Sequence, residues 1–137
     1  MSINDIQDEI IEEFALFPDW ESKYEYLLEM GNNLGGIDAS LKTDDNLVRG
    51  CTSRAWVSCK LIDGKMQFQA DAETAIARGI LALILRVLNQ QAPQDILNTD
   101  LYLLDRIGLK EHLSITRAQG LESLVTKLYE LARAAIT

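Results

Sequence analysis

Two runs of alternating residues meet at Asp63-Gly64, and that junction dictates an antiparallel hairpin in the middle of the chain. Before it, Ala55, Val57, Cys59 and Leu61 alternate with Trp56, Ser58 and Lys60. After it, Met66, Phe68 and Ala70 share one face of a return strand over 65–70.

What surrounds the hairpin reads as helix. Over 3–15, Ile3, Ile6, Ile10 and Phe14 recur on one face with Asp and Glu opposite. After Pro18, a second helix from Asp19 to Gly31 stacks Trp20, Tyr24 and Leu27 or Leu28 before the Gly35-Gly36 break. Residues 37–46 are polar and turn-rich, leading into a short strand over 47–50. Asp71 reads as the N-cap of a long helix from Ala72 to about Gln90, with Ile76, Ile80, Leu83, Ile84 and Val87 on its buried stripe. Pro93 opens a short helix containing Ile96 and Leu97, and another near 101–107 ends at Gly108. Ser114 caps the last helix, whose apolar face is Leu121, Leu124, Val125, Leu128 and Leu131. The sum predicts an α+β fold: a small antiparallel β-sheet packed against several α-helices in two layers. No repeat or linker divides it, so one domain is expected over 1–137.

Composition narrows the function. With 137 residues, 47% of them hydrophobic, a core can form without disulfides or metals. The formal charge of −8 leaves no basic stripe to displace counterions from phosphate, so nucleic acid is an unfavourable partner. The opening segment carries Asp5, Asp8, Glu9, Glu12 and Glu13, unlike a signal peptide, and the apolar stretch from Ile80 to Leu88 contains Arg86 and is too short to span a bilayer. A cytoplasmic protein with no membrane partner is expected.

The two cysteines, Cys51 and Cys59, then need an account, because a reducing compartment disfavours a structural disulfide and a single histidine leaves a zinc site short of ligands. Cys51 sits between Gly50 and Thr52, where glycine permits a tight, exposed turn. Arg49 and Arg54 flank it, and positive neighbours favour the reactive thiolate. An ordinary thiol is only about 3% ionised at pH 7, and lowering its pKa by about one unit raises that to about a quarter. A small buried loop residue is the other reading of Cys51. Cys59, alternating with Val57 and Leu61, reads as core packing.

The run Val48-Arg49-Gly50-Cys51-Thr52-Ser53-Arg54-Ala55-Trp56-Val57 resembles the cysteine loop and following strand of SufE-type sulfur acceptors. The segments Asp71–Gly79, Pro93–Ile96 and His112–Leu121 are similar to further signatures of that family, in the family's order. The resemblance implies that Cys51 takes persulfide sulfur from a pyridoxal-phosphate cysteine desulfurase and stimulates that enzyme. Cys51 then delivers the sulfur to a scaffold complex that assembles iron–sulfur clusters. The chain itself would need no cofactor and would act as a monomer or weak homodimer. Gly50 and Ser53 would belong to a mobile loop, with Arg54 beside it. Arg117 matches the family's arginine near the last helix, steadying the loop or meeting the desulfurase, unless it is simply solvated. Asp71 would border the docking surface or serve only as a cap. Trp56 reads as core, His112 as structural and Ser114 as a cap. Ile115 departs from the family, where proline is common, and Cys59 lies outside its motif.

Two other classes fit a lone reactive cysteine. One is a thiol redox enzyme or sensor in which Cys59 resolves a sulfenic acid on Cys51. The other is a binding module that activates a desulfurase by contact alone.

Overall fold

The computed structural model describes residues 2–51 and 53–136. Its elements are α1 (Ile3–Ala15), α2 (Trp20–Asn32), β1 (Ala55–Ile62), β2 (Lys65–Ala72), α3 (Ala75–Leu88), α4 (Pro93–Leu97), α5 (Leu103–Arg106) and α6 (Ile115–Ile136), with short 3-10 turns between. The α+β expectation holds: a two-stranded antiparallel sheet packed among helices.

Local chemistry sets each boundary. Ser2 and Asp5 form a reciprocal capping box at the start of α1, and Asp19 caps α2 by accepting from the Ser22 N–H. Helix α1 buries Ile3, Ile10 and Phe14 as its spacing predicted. It also buries Gln7, whose amide donates to Asp100 O and accepts from the Leu103 N–H, tying α1 to α5. Arg86 of α3 bonds the Glu13 carboxylate in a fork that holds this carboxyl below its usual range.

Helices α2 and α3 meet backbone to backbone. Gly79 sits so close to α2 that a Cβ there would lie 2.3 Å from Leu27 O, and a Cβ on Gly31 would lie 2.7 Å from Gly79 N. Two glycines thus bring α3 close against α2, and the buried Ile76, Ile80, Leu83, Ile84 and Val87 of α3 fill the centre of the core.

The hairpin turn follows its sequence signal. Asp63 (φ 52) and Gly64 (φ 76) both take positive φ, as a type I′ turn requires. The register runs from Ile62↔Lys65 to Ala55↔Ala72. Met66, Phe68 and Ala70 are buried together, but the alternation on β1 does not extend to the tip, where Leu61 is 52% exposed and Ile62 42%.

Three expectations are corrected here. The strand expected over 47–50 is only an isolated bridge, Leu47 to Trp56, with the Val48 N–H donating to Ala55 O, before Gly50 (φ 91) turns the chain away. The long helix begins at Ala75 and ends at Leu88, because Asp71 and Ala72 continue the β2 ladder opposite Trp56 and Ala55. Thr74 supplies the cap instead, its Oγ1 accepting from the Ala77 N–H.

Asp71 is therefore an ionic anchor rather than a cap. Its carboxylate meets Arg78 at 2.6 Å and Lys42 at 3.2 Å, and Arg78 also donates to Gly31 O and Leu34 O at the end of α2. Asp71→Ala would leave Arg78 partly buried without its carboxylate, so stability should fall by about 2–3 kcal/mol, read as a lower urea midpoint. An unchanged midpoint would mean the pair is a solvated bystander.

Candidate functional site

Cys51 is positioned by clasps on both sides of its loop. Upstream, the Val48–Ala55 hydrogen bond pins the chain to β1. Downstream, Glu73 holds the Arg54 backbone twice: its Oε1 accepts from the Arg54 N–H at 2.8 Å and its own N–H donates to Arg54 O at 3.0 Å. Thr52, part of the loop expected to carry the chemistry, lies outside the described residues.

Between these clasps the loop rests on α6. The half-buried Cys51 thiol donates to Gly120 O, with Sγ 3.5 Å from the oxygen. Gly120 has no side chain to interfere, since a Cβ there would already sit 3.4 Å from Sγ. One helical turn on, a Cβ on Gly50 would come within 2.5 Å of Ser123 Oγ. Glycine at position 50 is favoured by its positive φ, while a side chain there would also have to turn Ser123 Oγ aside.

Beside the thiol is a cavity of about 150 Å³ between α3 and α6. Ile76, Ile80 and Leu81 face Leu121 and Leu124 across it, while Cys51, Ser53, Thr74, Thr116 and Arg117 contribute the remaining polar lining. No carboxylate lines this cavity among the described residues.

Burial pushes the Cys51 thiol above its ordinary pKa, and this corrects the expectation that neighbouring arginines lower it. The reason is geometric. Arg49 lines a different hollow, shared with Asp44, Asp45, Glu122 and Glu130, and Arg54 meets Glu73 through its backbone. Neither arginine lines the cavity beside the thiol, and burial is the cause of its raised pKa.

Of the other sequence candidates, Ser53 and Arg117 come together with Cys51 at the cavity. Arg117 is exposed in the first turn of α6, where its backbone N–H is capped by Ser114 Oγ, and among the described residues its side chain makes no salt bridge. Asp71 does not line the cavity. Trp56 is buried with the Lys42 ammonium over its ring. His112 is exposed, stacked on Trp20 and bonded through Nδ1 to Gly108 O, which is a structural role. Cys59 is half-buried in a separate cavity with Lys60, Phe68 and Asn89, and burial raises its thiol as well.

Gly120, Ser123, Glu73 and Thr116 were not picked out from sequence as parts of the site. A glycine inside a helical run was the one available signal, and it marks Gly120. Among the described residues no group of three His, Cys, Asp or Glu could hold a metal ion. No helix among them is long and apolar enough to cross a membrane.

Similarity to known proteins agrees with this arrangement. Residues 8–132 match the family model described as "SufE: Fe-S metabolism associated domain". An uncharacterised SufE-like protein of Rhizobium meliloti is 33% identical over 126 residues, covering 88% of this chain and 90% of that protein. Another from Rhizobium etli is 32% identical over 131 residues, covering 92% and 88%. The solution structure of a hypothetical protein from Thermus thermophilus superposes with a TM-score of 0.80 across 96% of both chains, and at 20% identity this likeness speaks for the fold alone. A cysteine clasped over an apolar cavity, in a chain matched almost from end to end, places this protein in the SufE family, whose domain is associated with iron–sulfur metabolism.

Proposed function

We propose that the chain is a sulfur carrier that accepts sulfane sulfur on Cys51 from a pyridoxal-phosphate-dependent cysteine desulfurase and passes it on for iron–sulfur cluster assembly. The observation that carries this reading is the Cys51 loop, clasped at both sides, beside a cavity of about 150 Å³. A water molecule's share of liquid volume is about 30 Å³, so one further sulfur atom has ample room.

The chemistry needs no metal and no general-base triad. The Cys51 thiolate attacks the outer sulfur of the partner's persulfide, forming one S–S bond while the partner's S–S bond breaks. The electron pair of the broken bond leaves on the partner's cysteine sulfur, which takes up the proton that Cys51 gave. One persulfide and one thiol become one thiol and one persulfide, with no net oxidation. Ser53 and Arg117 share the cavity with the reacting thiol, and the exposed Arg117 is free to meet the partner. The apolar walls from α3 and α6 keep water and competing thiols from the stored sulfur. Pyridoxal phosphate remains with the desulfurase, and the next acceptor is the cluster scaffold complex. Two unpaired cysteines suit a reducing compartment such as the cytoplasm.

The sensor reading is not supported by the same geometry. That reading needs Cys59 to resolve a sulfenic acid on Cys51, whereas Cys51 and Cys59 line separate cavities.

Titrating the chain into a cysteine desulfurase supplied with cysteine tests the proposal through the rate of alanine release. Turnover should rise several-fold and saturate with carrier concentration. A flat titration against desulfurases of the same cell would overturn it.

A further inference from the structure

We propose that Gly120 is a positioning residue for the carrier thiol: its carbonyl oxygen takes the Cys51 proton in a hydrogen bond, and its bare Cα leaves room for the sulfur. In the resting thiol this bond holds the loop on α6. This rests on the carrier reading and concerns how the same thiol is kept inactive between encounters.

The contact is specific to one protonation state. In the thiol, the S–H points to Gly120 O across 3.5 Å. Once the S–H bond breaks and its proton goes to solvent, the sulfur's electron pairs face those of the carbonyl oxygen, with apolar walls around them. The hydrogen bond becomes a repulsion, and the anion is poorly solvated where it lies. Lifting off α6 relieves both. Ionisation and release of the loop are thus one equilibrium, and stability of the seated loop declines as pH rises through the raised thiol pKa.

Among the described residues the one charged side chain lining the cavity, Arg117, favours a seated thiolate and works against release, so the loss of the hydrogen bond and the burial of the anion must outweigh it. On α6 the cavity is lined by the Arg117 cation, α3 contributes no charged residue to it, and Glu73 and Arg54 meet through the Arg54 backbone. Arg49 lines the hollow on the other side of α6. The interlock is made by contacts one helical turn apart: Cys51 over Gly120, and Gly50 over Ser123.

The seat predicts a graded response to side chains at 120. An alanine Cβ would stand 3.4 Å from Sγ and 4.0 Å from the Cys51 Cα and Cβ, which is contact, so Gly120→Ala should keep the seat. A leucine carries atoms beyond Cβ into the sulfur's place. Leucine is also a far better helix former than glycine, so Gly120→Leu should not weaken α6 by propensity.

The test is alkylation by iodoacetamide across pH, in a Cys59→Ser background so that one thiol is read. Gly120→Ala should remain within about twofold of the parent. Gly120→Leu should alkylate about tenfold faster at pH 7, with its midpoint about one unit lower, while its melting temperature holds or rises. A folded Gly120→Leu protein with the parent's rate and midpoint would overturn the proposal. If Gly120→Leu fails to fold, the S–H stretching band of the parent decides: a frequency typical of carbonyl-bonded S–H supports the seat, and that of a free S–H overturns it. None of these readings uses a desulfurase, so the seat can fail while the carrier role stands, and the reverse.

Discussion

Gly79→Ala should cost the fold about 2–3 kcal/mol, although alanine is the better helix former by about 1 kcal/mol. The added Cβ would lie 2.3 Å from Leu27 O and 2.8 Å from Leu27 C, both backbone atoms of α2 that cannot rotate aside. Helices α2 and α3 must then separate, and the core cluster running from Leu27 to Ile80, Leu83 and Ile84 loses its packing. Because α3 also forms one wall of the cavity beside Cys51, the damage reaches the site. Urea denaturation reads the effect as a lower midpoint with an unchanged slope. A variant as stable as the parent, or more stable, would mean that helix propensity outweighs the contact and that α2 and α3 do not pack this closely.

Cys51→Ser should abolish the carrier-dependent part of desulfurase turnover, returning alanine release to the rate without the protein. Serine nearly preserves the shape of the side chain and can donate to Gly120 O as the thiol does. It cannot be the sulfur nucleophile: its hydroxyl is not ionised at neutral pH, and no S–S bond can form to it. Docking to the desulfurase should survive, because the surrounding surface is unchanged. Full stimulation by Cys51→Ser would favour an activator that works by contact alone.

Much of the fold was legible because its signals are local. Asp63-Gly64 specified the hairpin, since only positive φ at both positions closes a two-residue turn with the right twist. The recurrence of Ile3, Ile10 and Phe14 gave the buried side of α1. The failures came where a distant partner decided. Asp71 has the chemistry of a cap, but Arg78 and Lys42 offered its carboxylate a better partner, and the β2 ladder carried the chain past it. The strand expected over 47–50 had only one bridge to form before Gly50 turned away.

The site divides in the same manner. Cys51 was identified from its loop, its neighbours and the resemblance they carry. Its electrostatics do not follow from the sequence, because Arg49 and Arg54 are near in sequence but do not line its cavity, while Gly120, which accepts its hydrogen bond, is 69 positions away. Burial, which raises the thiol, depends on α3 and α6 closing around it and has no signature in the run from Val48 to Val57.

The most direct measurement of the central claim is intact and peptide mass spectrometry of the protein after incubation with a cysteine desulfurase, pyridoxal phosphate and cysteine. One added sulfur is expected on the peptide containing Cys51, removed by reductant and absent in Cys51→Ser. An unmodified Cys51, in a protein that demonstrably binds the active desulfurase, would contradict it.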